Sequence, residues 1–188
     1  LFETSRSTVR QALERLAETG LVSRRIGSGT FISFQPAAAG GEIADIVSPL
    51  ELIEVRLAVE PHMTRLAVVN ATGRDLELLA EALAEVENSA LDAEAFSRSD
   101  EKFHSCLARC TQNHLLMSIY DQVNEVRGHA QWNAMKDKIL TRERMADYNR
   151  GHRALYEALC SRDVEQALAI IGDHLEAARR DLLGASSA

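Results

Sequence analysis

Aromatic side chains, cysteines and long apolar runs are all scarce in this 188-residue sequence, and each scarcity removes a class of protein. No apolar run approaches the ~20 residues that span a bilayer, and the opening LFETSRSTVR lacks the apolar core of a secretory signal. A cytoplasmic location is expected. The three cysteines, Cys106, Cys110 and Cys160, are an odd number without C-x-x-C spacing. That suggests neither a disulfide framework nor a zinc ribbon and predicts reduced, mostly packed thiols. With aromatics at 5% against 46% hydrophobic and 26% charged residues, and with Ala, Leu and Glu plentiful, the chain reads as globular and mainly helical.

The net charge of −7 argues at first sight against a nucleic-acid partner. The average hides a local exception. Residues 1–33 hold five arginines (6, 10, 15, 24, 25) against three glutamates (3, 14, 18), or +2, which leaves −9 for the remainder. Within this basic part, Val9, Ala12, Leu13, Leu16 and Ala17 recur at helical spacing behind Ser7 or Thr8 as a cap, predicting a helix over 7–19 closed by Gly20. LVSRRIGSGTFIS then alternates around Gly-Ser-Gly, the pattern of a two-stranded hairpin. A helix followed by a basic hairpin is the outline of a winged helix.

FQPAAAGGE reads as linker, so the expected organisation is a DNA-binding part at 1–33, a linker at 34–44 and a helical domain at 45–188. Helices are predicted over 46–70, 73–88, 92–111, 114–136, 140–161 and 163–183. Short breaks between them suit an antiparallel bundle, and Pro61 is expected to kink or split the first. The fold class is thus mainly α, a partial winged helix-turn-helix followed by an all-helical antiparallel bundle.

Ser5, Arg6, Ser7, Thr8, Arg10 and Gln11 cluster at the helix start, the end that a recognition helix turns toward base edges. Arg6 and Arg10 are candidate base or phosphate readers. In the hairpin Arg24 and Arg25 supply charge, while Gly27 and Gly29 allow backbone to approach a sugar-phosphate edge. Solvated arginines on a small helix and hairpin are the alternative.

In the helical part, Asp100 and His104 stand one turn apart on a face shared with Phe96, Phe103 and Leu107. His152 lies in a stripe with Tyr148, Leu155 and Leu159, and His174 in one with Ala167, Ile170, Ile171 and Ala178. Three imidazoles and one carboxylate suit a divalent ion, with zinc first and nickel, manganese or iron as other choices. They would leave a position open for water or a ligand oxygen. Hydrogen-bonded core histidines are the competing reading. Arg56, on the stripe of Leu52, Val59 and Met63, is a candidate to grip an effector carboxylate or else to pair with a buried glutamate, with Arg127 and Asn124 as further cavity candidates. His62, His114 and His129 lack apolar companions and read as surface or supporting groups.

The run SRSTVRQALERLAETGLVSRRIGSGTFIS resembles the second half of the winged helix-turn-helix domain of GntR-family regulators, through S-R-x-T-V-R-x-A-L and G-S-G-T-F. That family carries another helix and most of a second ahead of this point, so the DNA-binding domain is expected to be incomplete in the sequence as given. Residues 45–183 look like the FCD effector domain of the FadR branch, through ELIEVRLAVEP, SDEKFHSCL, GHRALYEAL and DHLEAARRDL. The resemblance places Asp100, His104, His152 and His174 at the positions that hold a divalent ion in metal-containing members, and it disfavours the acyl-CoA-binding variant, which lacks the set. It implies a homodimeric regulator, a repressor before an activator, that binds operator DNA and responds to a small organic or sugar acid. The alternatives are a metalloenzyme using the same four residues, for which no acid or base stands beside them, and a bare dimerisation module.

Overall fold

The computed structural model describes residues 5–18, 22–25, 29–32, 43–128, 136 and 139–186. They fall in two compact units, 1–42 and 43–188.

In the first unit, α1 spans Arg6–Glu18. Its cap falls on Ser5 rather than on Ser7 or Thr8, because Ser5 Oγ accepts the Thr8 amide at 3.2 Å and so satisfies an otherwise orphan donor of the first turn. The helix therefore starts one residue early. Strands β1 (Val22–Arg25) and β2 (Gly29–Ile32) pair antiparallel, Val22 opposite Ile32 and Arg25 opposite Gly29. Gly29 has φ of +112°, a backbone region that strains any residue with a Cβ. Phe34 to Glu42, within the expected linker, lie outside the described residues.

A short 3-10 turn, Ile43–Asp45, opens the second unit, followed by α2 (Pro49–Asn70), α3 (Gly73–Asn88), α4 (Ala93–Cys110), α5 (His114–Arg127), α6 (Arg142–Cys160) and α7 (Val164–Ser186). The helix starts are written locally. Ser48 with Glu51 and Thr72 with Asp75 form reciprocal capping boxes, and Asp92, Asn113 and Thr141 cap the helices that follow them. The Ser48 box, with Pro49 in the first turn, explains why α2 begins at residue 49 and not 46. Pro61 removes one backbone donor inside α2 yet does not split it; Ile53, Met63, Ala67 and Val68, on both sides of the proline, are buried, and that packing holds the helix through the gap. Helix α5 ends at Arg127, short of the expected residue 136, with Gly128 as its cap. His129 lies outside the described residues.

The direction of the helices follows from bonds between their ends. Asn70 Nδ2 donates to Thr111 O at 2.9 Å, and Arg162 donates to Val68 O and Ala71 O, each at 2.5 Å. The C-termini of α2, α4 and α6 thus meet at one end of the bundle, where α7 begins. Contacts from Gln112 to Asp75 and from Lys102 to Glu85 run α3 antiparallel to α4, and Tyr148 to Asp181 does the same for α6 and α7. Arg162 holds φ of +57° while its guanidinium satisfies carbonyls at the end of α2. Arg162→Ala is expected to lower stability by about 1–2 kcal/mol in urea unfolding, as two charge-assisted bonds are lost at a partly solvated site. Phe96, Phe103 and Leu107 of α4, Leu155 and Leu159 of α6, and Ile171 and Leu175 of α7 fill one continuous core. The three thiols are free: Cys110 is buried, which pushes its pKa up to about 12, Cys106 is half-buried and Cys160 is exposed.

Candidate metal centre

Asp100 and His104 of α4, His152 of α6 and His174 of α7 converge. One ligand atom from each lies within 4.8 Å of the other three. Around a tetrahedral ion with bonds near 2.1 Å, ligand atoms stand about 3.4 Å apart, so closure needs the most separated groups to move together by roughly an ångström. Asp100 Oδ1 stands 3.1 Å from His152 Nε2 and 3.7 Å from His104 Nε2, and its other oxygen receives Arg127. His104 and His152 are fully enclosed, yet His104 Nε2 and both ring nitrogens of His152 have no hydrogen-bond partner. Buried polar atoms are seldom left so. This donor set, neutral imidazoles plus a carboxylate with unspent lone pairs, fits a divalent ion.

The electrostatics agree with ligand states. Burial would raise the Asp100 carboxyl, but Arg127 and then His152 outweigh it and hold the group well below the usual range. Burial lowers the His104 pKa, with Glu60 opposing; burial, then the neighbouring His152 and His104, lower His174 further. His104 and His174 are therefore neutral at pH 7, as metal ligands must be.

Gly151 sits against this cluster. A Cβ there would meet His174 Nδ1 at 3.3 Å, closer than ordinary packing allows. Gly151→Ala is expected to turn the imidazole and weaken zinc binding about tenfold in competition with a chromophoric chelator, with the α6 fold retained by circular dichroism.

Three residues of the site were not singled out in the sequence: Glu60, Tyr120 and Lys136. Glu60 is wholly buried on α2; its Oε1 accepts Arg56 Nε at 2.5 Å and the Tyr120 hydroxyl at 2.9 Å, and its Oε2 lies 3.0 Å from His104 Nδ1, though outside hydrogen-bond alignment. Burial alone would raise the Glu60 carboxyl, but Arg56 keeps it well below its ordinary range. An ionised Glu60 favours the tautomer with the proton on Nδ1, which leaves the Nε2 lone pair facing Asp100. A charged residue one turn from Arg56 on a stripe that also holds Met63 was the signal available for it. Lys136 donates to Ser97, to Glu101 at 2.9 Å and to Arg127 O at 3.0 Å, and burial followed by Arg127 brings it down to about 8.

Beside the cluster lies a cavity of about 70 Å³; Arg56, Asp100, Arg127 and His174 are among its lining residues. Of the two roles foreseen for Arg56, the pairing with a buried glutamate is the one seen. Its Nε is paired with Glu60, while its Nη2 is buried without a partner. Asn124 is not among the lining residues; its Nδ2 donates to Ser105 Oγ at 2.6 Å and ties α5 to α4. His62 and His114 are exposed.

Of the residues expected to meet DNA, Ser7, Thr8 and Arg10 are exposed at the start of α1 behind the cap Ser5. The hydroxyls of Ser7 and Thr8 lie 2.7 and 2.9 Å from Ser5 Oγ, and Arg10 Nε reaches Glu14 at 3.3 Å. Arg6 is the first residue of α1, Arg24 and Arg25 are in β1, and Gly29 is in β2; Gly27 lies outside the described residues. Among the described residues no helix is long and apolar enough to cross a membrane.

Residues 51–177 match the FCD domain family, and residues 1–32 match the bacterial regulatory proteins of the gntR family. The Uxu operon regulator of Haemophilus influenzae is 27% identical over 178 residues, covering 93% of this chain and 67% of that protein. The HTH-type transcriptional regulator LutR of Bacillus subtilis is 29% identical over 187 residues, covering 93% of this chain and 83% of its own length. Among solved structures, a metal-free FCD domain superposes with a TM-score of 0.58 at 25% identity, over 73% of this chain and 92% of that one. The chain belongs to the GntR family of bacterial regulatory proteins, with an FCD domain forming its helical part, and is a DNA-binding transcription regulator rather than an enzyme.

Proposed function

We propose that this regulator is a homodimeric repressor that senses a small carboxylate at a divalent-metal site made by Asp100, His104, His152 and His174. The observation that carries the reading is the pairing of four convergent ligand groups, two of them imidazoles with unpartnered nitrogens, with an adjoining cavity where the buried Arg56 Nη2 has no partner either. A bound zinc, or nickel, manganese or iron, would supply a Lewis-acidic position for a carboxylate oxygen. Arg56 and Arg127 would neutralise and orient the acid, and Glu60 would keep both His104 and Arg56 in place.

Ser5, Arg6, Ser7, Thr8 and Arg10 on α1 and Arg24, Arg25, Gly27 and Gly29 of the hairpin are the residues assigned to operator DNA, α1 to the major groove and the hairpin to the flanking backbone. A cytoplasmic location accompanies that role. An apolar stripe on α2, with Val55 at 44% and Val69 at 67% exposure, Val59 and Leu66 between them, and the exposed His62 interrupting it, supports pairing with a second copy. Tighter binding of the acid to one arrangement of the pair would bias the spacing of the two DNA-binding parts.

The test is a thermal-shift screen of organic and sugar acids on zinc-loaded full-length protein with and without chelator, followed by fluorescence anisotropy on an operator selected from random duplexes. At least one acid should raise the melting temperature only when metal is present and should change DNA affinity. Acids that stabilise equally with chelator, or leave DNA affinity unaltered, would contradict the reading.

A further inference from the structure

The cavity beside the metal centre is polar at one end and apolar at the other. Along α2, Ile53 lies one turn before Arg56; along α4, Phe96 lies one turn before Asp100; along α7, Ala178 and Leu182 lie one and two turns after His174, and all of these line the cavity. Because α2 and α4 run parallel and α7 runs against them, these three steps go in the same direction, away from the end of the bundle where Asn70 and Arg162 make their contacts. Ile139 and Leu140, just before α6, line the same end.

Among the described residues, the polar groups found near that end are already committed. Lys136 uses its donors on Ser97, Glu101 and Arg127 O, and the Tyr148 hydroxyl donates to Asp181 at 2.7 Å. Hydroxyls placed there would give up water without gaining partners, whereas methylenes would meet Ile53, Phe96, Ile139 and Leu182. The unpartnered Arg56 Nη2, by contrast, waits at the polar end. The cavity, about 70 Å³, suits a small ligand.

Resting on the acid-sensing reading above, we infer that the effector is a small monocarboxylate with a short hydrocarbon tail, and that polyhydroxylated sugar acids are poor ligands. The carboxylate faces Arg56, Arg127 and the metal ligands, and the tail lies between Ile53, Phe96 and Leu182.

Calorimetric titration of the zinc-loaded protein with acetate, 2-hydroxybutyrate, threonate (its 3,4-dihydroxy counterpart) and gluconate tests this. Threonate has the same carbon chain as 2-hydroxybutyrate, so the pair isolates the tail. Binding of 2-hydroxybutyrate should be at least tenfold tighter than that of threonate, with gluconate weaker still. Ala178→Val, which shortens the apolar end without a polar change, should weaken 2-hydroxybutyrate at least fivefold and leave acetate within twofold; Leu182→Asn should narrow the 2-hydroxybutyrate to threonate ratio to threefold or less. Threonate or gluconate binding as tightly as 2-hydroxybutyrate would overturn the apolar-tail inference and leave acid sensing standing. Failure of all four acids, acetate included, at millimolar concentration would overturn acid sensing and this inference with it.

Discussion

Glu60→Ala is expected to destabilise the metal-free protein by about 3–5 kcal/mol, because it strips the partner from a buried cation. Arg56 and Glu60 have side chains 5% and 0% exposed, and Glu60 also receives the Tyr120 hydroxyl and faces His104. Burial by itself would lower the Arg56 pKa, but Glu60 more than compensates and raises it; without Glu60 the guanidinium would still be charged because arginine is not deprotonated in proteins. The loss would be a large share of the roughly 5–15 kcal/mol that holds a domain folded. Glu60→Gln separates charge from shape: it keeps the acceptor for Tyr120 but removes the charge that opposes Arg56 and favours the Nδ1 proton on His104. It should retain part of the stability and still lose at least tenfold in zinc affinity. Chemical unfolding in chelator, with zinc competition alongside, reads both quantities. A change under 1 kcal/mol for Glu60→Ala would show that Arg56 finds solvent or another partner.

Removing the metal should have the second large effect. A ligand present at 100 times its dissociation constant stabilises the folded state by about 2.7 kcal/mol, which for a domain of this size corresponds to a fall of roughly 5–10 °C in melting temperature on chelation. The metal-free form should also be sensitive to acid in a defined direction. Burial lowers the pKa values of His104 and His174 below their unfolded value near 6.5, so the unfolded chain takes up protons first as pH falls. Their contribution is complete above about pH 6.5 and is lost progressively below it, down to their lowered folded values. Asp100 and Glu60, held well below ordinary carboxylates, add stability that is present above about pH 4 and is lost as pH falls further toward their folded values. The melting temperature in chelator should therefore drop between pH 7.5 and 5.5. A flat profile over that interval would mean that the histidines are exposed or already paired with protons.

How far these features can be read from residues alone depends on the range of the interaction that creates them. Apart from the end of α5, helix ends were legible to within a few residues because capping is local: Thr72 with Asp75 and Asp92 with the next turn act across three residues. The start of α2 was placed early because Ile46 and Val47 extend the apolar pattern past Ser48, where the capping box begins the helix. Pro61 does not split α2, for the opposite reason. Its local penalty is opposed by packing of distant helices around α2, which no window of sequence contains. The Asp100 and His104 spacing and the apolar companions of His152 and His174 were visible one helix at a time, but their approach to within 4.8 Å is a property of three helices. Lys136 and Tyr120 had no sequence signal at all, since each gains its role from groups at least nine residues away, in Ser97, Glu101 and Arg127 O for one and Glu60 for the other. Asn124 shows the reverse limit: it is on the helix that carries Arg127, but one turn earlier, where it meets Ser105 instead of the cavity.

The central claim is that this helical domain is held and switched around one divalent ion. Elemental analysis of purified wild-type protein and of a His152→Ala, His174→Ala double variant, after metal is added and excess removed, tests it most directly. About one zinc, nickel, manganese or iron per chain in the wild type, absent from the double variant while both remain folded by circular dichroism, is the predicted result. Negligible metal in the wild type, or equal metal in both proteins, would contradict the account.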